Sequence, residues 1–273
     1  FKFPGKTDVD QVNTFDRETS KISAKELIDY GKEMIERLND FDPDMEIDLD
    51  LSRSISRTRI ANSNGLDVKE ERTKIALGLE VKKVGDDDIF SFYETSVGQK
   101  LSQFDPEKTT EKAIQKVKWA ERQAEIQTGK YPVILTPRGS LVLLVSLLSG
   151  FNGKNVFEGT SPLESDLGDR VFSDKLDILD QGTLEDSPSR RSFDDEGTPV
   201  DRLELVRAGK VKNFLYDLQT AGKAGTDSTG NGLKGGLISG SDFRSSPSIS
   251  PNTLVIESGG KRVGKLISGI NRG

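Results

Sequence analysis

Between Met45 and Val81 the chain alternates apolar and polar residues twice, with an Asn-Gly step between the two runs. That pattern restricts the fold more than any other stretch. Met45, Ile47, Leu49 and Leu51 form the first run, and Ile75, Leu77, Leu79 and Val81 the second. A period of two puts every apolar side chain of a run on one face of a strand, so each strand has one buried and one solvated side. Asn64-Gly65 supplies the backbone freedom that a hairpin turn needs. Gly85-Asp86-Asp87-Asp88 reads as a second turn, and residues 45–98 are predicted to form an antiparallel meander. The aspartate run lacks the spacing and closing Glu of an EF-hand loop, which favours a solvated turn over a calcium site.

Helical signals flank the meander. Ser23 is placed as an N-cap, Glu26 completes a capping box, and Ile22 with Leu27 forms a hydrophobic staple. Leu27, Ile28, Gly31, Met34, Ile35 and Leu38 then mark one face at helical spacing until Asp42-Pro43. Asp105-Pro106 opens a second helix with Ala113, Ile114, Val117, Ala120 and Ala124 inward, stopped by Gly129. Tyr131 to Thr136 reads as a short strand. Leu141 to Leu148, interrupted only by Ser146, is too uniformly apolar for a surface helix and is expected to be buried on most sides. From about residue 150 Gly-, Ser- and Asp-rich loops separate short strands at Leu176–Leu179, Leu203–Val206 and Leu254–Ile256. The expected fold is α+β: a linker or arm over 1–20, a helix-flanked antiparallel sheet domain over 21–129, and a β-rich domain over 130–273.

Composition then removes function classes. The chain has no His and no Cys. Ser-His-Asp and Cys-His pairs, His- or Cys-ligated zinc and disulfides are thereby excluded. A net charge of −6 argues against a broad phosphate-binding surface, and Arg53, Arg57 and Arg59 read as a solvated strand face. No apolar run nears the roughly 20 residues of a membrane helix, and no charged segment followed by an apolar stretch opens the chain. These observations predict a cytoplasmic protein. The start at Phe1 points to processing or to a fragment.

Two motifs invite a chemical reading. Gly230-Asn231-Gly232-Leu233-Lys234-Gly235 matches the dinucleotide fingerprint, but a glycine-rich stretch precedes it, and Gly236, Gly240, Pro247 and Pro251 interrupt the segment after it. The fingerprint needs a strand before it and a helix after it. A glycine-rich loop with close backbone contacts is the better reading. Asp194-Asp195-Glu196-Gly197 gathers three carboxylates. Paired carboxylates can share a proton, yet neighbours in an extended chain point to opposite sides. A turn is favoured, with Gly197 at positive φ and Pro199 fixing the exit.

The ordered set of motifs resembles a known family. Tyr131-Pro132-Val133 precedes Gly153 to Gly168 with its final Leu-Gly step, followed by Ser192-Phe193-Asp194-Asp195-Glu196-Gly197-Thr198-Pro199 and Ala208-Gly209-Lys210-Val211. Phe214-Leu215-Tyr216-Asp217 leads to Thr220-Ala221, and Ser228-Thr229-Gly230-Asn231-Gly232 precedes Pro251-Asn252-Thr253. Together with Phe3-Pro4-Gly5 and Asn62-Ser63-Asn64-Gly65 these are similar to the TldD/TldE (PmbA) peptidase family, also described as modulators of DNA gyrase. The acidic composition gives that description no direct support. The resemblance implies an α/β domain before Phe1 and a further β-rich stretch after Gly273. In the family's catalytic member a helix carries H-E-x-x-x-H. The corresponding helix here, within Leu141 to Phe151, has neither His nor Glu. The resemblance therefore implies a TldE/PmbA-type chain with no catalytic residue, metal or cofactor of its own. Its partners would be a zinc-bearing TldD-type subunit or a second copy, acting on unfolded peptides. Asp194, Asp195, Glu196, Gly197, Thr220, Ser228, Thr229, Gly230 and Asn231 are the motif positions that would line a peptide groove or hold structure. The alternative is an independent hydrolase using Asp194, Asp195 or Glu196 with a carboxylate-bound Mg or Mn.

Overall fold

A computed structural model describes residues 3–85, 89–120, 125–235 and 243–270. A short helix α1 (Arg17–Lys21), capped by Asp16, leads into α2 (Ala24–Phe41), where Ser23 and Glu26 close the expected capping box. Strands β1 (Met45–Ala61), β2 (Asp67–Val84) and β3 (Ile89–Gly98) form the antiparallel sheet β1-β2-β3. The Asn-Gly step sits in the turn between β1 and β2, where Gly65 has φ +94° and Asn62 Oδ1 accepts from Asn64 N at 2.9 Å. The segment expected to form the second turn includes Asp86 to Asp88, which lie outside the described residues.

Helix α3 (Pro106–Ala120) starts where Asp105 Oδ1 accepts from Lys108 N at 2.9 Å. Ala124 lies outside the described residues. Leu38, Met34, Val117 and Ala113 from α2 and α3 pack on Ile75, Leu77, Leu79 and Val81, which makes the first core. Ile28 and Ile35 are exposed, so the buried stripe of α2 is narrower than its spacing suggests.

Helices α4 (Leu141–Phe151) and α5 (Gly153–Phe157) precede a second antiparallel sheet. It contains β4 (Ile178–Gln181), β5 (Arg202–Arg207), β6 (Lys210–Val211) and β9 (Leu254–Ile256), in the order β6-β5-β4-β9. Helix α6 (Leu218–Ala224), the small pair β7 (Gly232–Leu233) and β8 (Ser248–Ile249), and α7 (Val263–Ile267) complete the described elements. Phe151, Leu205, Val206, Val211 and Leu215 centre the second core. The molecule is α+β, as the sequence predicts.

Two expectations fail here. Tyr131 to Thr136 forms no strand, and Val133 is exposed. Only the C-terminal end of α4 is buried, at Gly150 and Phe151, whereas Val142 is 74% and Leu143 60% exposed. Composition measured how apolar the segment is. It carried no information about how much of this chain lies against it. Among the described residues no helix is long and apolar enough to cross a membrane.

Candidate functional site

The three carboxylates of the Ser192–Pro199 segment lie on a tight turn. Asp194 N donates to Thr198 O at 2.9 Å and Val200 N to Ser192 O at 3.2 Å, so the two arms close on each other. Gly197 has φ +84°, a conformation that L side chains rarely adopt, and a Cβ there would sit 2.4 Å from Leu66 Cδ2. The chain turns there because glycine alone meets both conditions.

Asp194 is fully buried. Its Oδ1 accepts from Glu196 N at 3.0 Å and Thr198 N at 2.9 Å, and its Oδ2 accepts from Gly232 N at 2.9 Å. Burial pushes its pKa up to about 7, against those three backbone bonds, which favour the anion. Asp195 Oδ2 accepts from Lys234 N at 2.7 Å and lies 3.7 Å from Arg191 Nη1. Glu196 Oε2 accepts from Leu218 N at 2.7 Å; burial raises its pKa, and the neighbouring Asp217 charge adds to the rise. Beyond the turn itself, the three acids thus reach three different backbone donors, at Gly232, Lys234 and Leu218. This geometry organises loops.

The second group of motif residues meets around Asp180, which sequence reasoning missed. Thr229 Oγ1 donates to Asn231 Oδ1 at 2.6 Å, and Asn231 Nδ2 donates to Asp180 Oδ2 at 2.6 Å. The same Asp180 accepts from Asn252 N at 3.1 Å and, through Oδ1, from Thr253 N at 2.7 Å. Both Asp180 and Asn231 are almost completely buried. Gly230 N reaches Ser228 Oγ at 3.3 Å, and Ser228 Oγ donates to Tyr216 O at 3.1 Å. Thr220 is buried, its N–H held by the cap Asp217 at 2.6 Å. The one available signal for Asp180 was its place at the end of an apolar strand, where a charge must be fully partnered.

Glu70, a buried acid of β2, was missed as well. Its Oε1 accepts from Ser192 N at 2.6 Å, and its Oε2 lies 3.0 Å from Arg72 Nε. Around the α6 helix, Glu196, Asp217, Gly222 and Lys223 line a cavity of about 490 Å³. Gly236 and Gly240 of the glycine-rich stretch lie outside the described residues.

Comparison with known proteins places this arrangement. Residues 17–121 match the PmbA/TldA metallopeptidase central domain and residues 128–273 the C-terminal domain of the same family. An uncharacterised protein of Methanocaldococcus jannaschii is 29% identical over 251 residues, covering 88% of this chain and 56% of that protein. The metalloprotease PmbA homologue of Buchnera aphidicola (subspecies Acyrthosiphon pisum) is 30% identical over 135 residues, covering 49% of this chain and 29% of its own length. Among solved structures, TldE from Thermococcus kodakarensis superposes with a TM-score of 0.89 at 26% identity. A Thermotoga maritima protein described as a putative modulator of a DNA gyrase gives 0.87 at 25%. Each covers 100% of this chain, which spans 61% of their length.

Names in this group speak of metalloproteases, so the donor set matters. Helix α4, where the resemblance would place zinc ligands, has neither His nor Glu, and the chain has no His or Cys. Among the described residues no three acidic side chains converge to hold a metal ion. The side chains present do not fit a zinc centre. By the two domains that match along most of its length, the chain belongs to the PmbA/TldD metallopeptidase family.

Proposed function

We propose that this chain is the TldE/PmbA-type subunit of a cytoplasmic two-part peptidase and performs no bond cleavage itself. It works beside a zinc-bearing TldD-type subunit, or as a pair with its own copy where no such partner exists. The substrate is unfolded peptide. An extended segment binds by backbone hydrogen bonds along a sheet edge, β1 being an edge strand of 17 residues. The observation that carries this reading is the chemistry of α4: an uncharged Leu-, Val- and Ser-rich helix, with neither His nor Glu, forms the segment to which the family resemblance assigns the zinc motif of a catalytic member.

The alternative, hydrolysis by Asp194, draws on its pKa near 7, a value suited to a general acid or base. Both its oxygens are occupied by backbone N–H groups, and the side chain has no exposure to a substrate. That arrangement supports a structural carboxylate.

The test is an assay on a denatured protein with the full-length chain alone, a TldD-type partner alone, and the two mixed. Cleavage is expected only in the mixture, abolished by a chelator. Chelator-resistant cleavage by this protein alone, persisting with an inactivated partner present, would overturn the subunit reading.

A further inference from the structure

The Ser192–Pro199 turn faces two ways, and its two faces hold different parts of the molecule. Towards the β1–β2 hairpin, Phe193 packs with Leu66 and Val68, alongside Ile60 and Val9. Ser192 N donates to Glu70, and Ser192 Oγ accepts from Val12 N at 3.0 Å. Away from the hairpin, Asp194, Asp195 and Glu196 hold the N–H groups of Gly232, Lys234 and Leu218. Hairpin tip, turn, the Gly232–Lys234 segment and the start of α6 are therefore linked through one short stretch of chain.

We propose that this turn is a mechanical coupler: seating of the hairpin's distal half and ordering of α6 with the Gly232–Lys234 segment form a single equilibrium. The physical reason lies in what a partial release would cost. The turn closes on itself with the two backbone bonds that make the Phe193–Pro199 bridge and with Gly197 N donating to Asp194 O at 3.2 Å, so it has little internal give. Asp194 has both oxygens filled and no exposure to water. If the turn shifts with the hairpin while the Gly232 segment stays, a buried acceptor loses its partner, an unfavourable state that the molecule avoids by moving both. Glu70 and Phe193 are the positioning residues: Glu70 grips the turn from the hairpin, and Phe193 holds the turn into the hairpin's apolar cluster. If β1 holds peptide, as the proposed function has it, strand addition there is transmitted to the cavity beside α6.

Hydrogen exchange read by mass spectrometry tests the coupling. Glu70→Gln keeps the size of the side chain but removes the charge that strengthens the Ser192 N–H bond and holds Arg72, so the grip on the turn weakens. Exchange in residues 55–71 is expected to rise about tenfold, with residues 218–221 and 232–234 rising in step, while 45–51 and 77–83 keep wild-type rates. Phe193→Leu should give the same pattern from the apolar side, and it serves where Glu70→Gln fails to fold. A rise confined to 55–71, or a uniform rise over the whole chain, would overturn the proposal. In a second arm an unstructured peptide of alternating Val and Thr is added. Protection of residues 218–221 in the wild type and its loss in Glu70→Gln supports transmission. Absence of any peptide binding counts against the peptide reading alone, because the first arm decides the coupler without ligand.

Discussion

The two halves of the β1–β2 hairpin share one backbone ladder and are held by different means. Near its base, Ile75 to Val81 lie under α2 and α3 and pair with β3 on their other side. Beyond Ile75 the ladder continues to Ala61 and Asp67 without β3. There the sheet is held by the N-terminal arm, through Thr14, Pro4 and the Gly5–Gly65 bridge, and by a turn from distant sequence, through Phe193, Gly197 and the Ser192–Glu70 bond. A strand pair can thus be regular along its whole length while its anchoring changes from one large apolar core to a small apolar cluster joined by a few polar contacts. A few such contacts leave fewer ways to compensate when one is lost.

The largest expected effect is at the base. Leu79→Ala removes a fully buried side chain from the first core and should cost about 2–5 kcal/mol in urea unfolding. A cost below that of the distal changes would break the contrast between the halves. Gly197→Val comes next, at roughly 1–3 kcal/mol, because it combines strain at positive φ with displacement of Leu66. Relief of most of that loss by a second change, Leu66→Ala, would assign it to the steric part.

Asp194→Asn sharpens the polar side of the comparison. An amide there must turn its NH₂ towards a backbone N–H at one end, so a loss of about 1–3 kcal/mol is expected. The pH dependence has a definite sign. Asp194 titrates at about 7 in the folded chain, above an ordinary aspartate near 4. Between those values the folded state holds the extra proton, and this group's contribution to stability falls as pH rises through the window. The gap between wild type and Asp194→Asn should be widest near pH 4.5 and narrower at pH 7.5, measured by thermal melting. A gap that widens with pH would show that the buried carboxylate is stabilised as the anion. The smallest effect is Ser23→Ala, which removes an exposed N-cap of α2 without opening a cavity and should cost about 1 kcal/mol by the same melting experiment.

Legibility in the sequence divides along the same line. The capping box at Ser23 and Glu26, the alternation in β1 and β2, and the positive φ of Gly197 are local properties, set within a few residues of chain. Asp180, Glu70 and the environment of α4 are not. Asp180 is intelligible only once Asn231, Asn252 and Thr253 are beside it, and these come from distant parts of the chain. The acids of the 194–196 motif were singled out by composition, but their separate backbone partners were invisible because a main-chain N–H carries no residue signature. For α4, an apolar pattern of Leu and Val specifies that a surface avoids water without specifying what covers it.

The chain separation of paired strands has a kinetic consequence. Strands β1, β2 and β3 are consecutive, and only a few residues of chain separate each strand from the next. In the second sheet, β4 must wait for β9: Asp180 meets Asn252, 72 residues later. Closing a long loop loses more chain entropy before any contact repays it, and folding rates fall as contacts become less local. The meander should therefore acquire protected amides early in refolding, and the Asp180 network should appear in a later, slower phase.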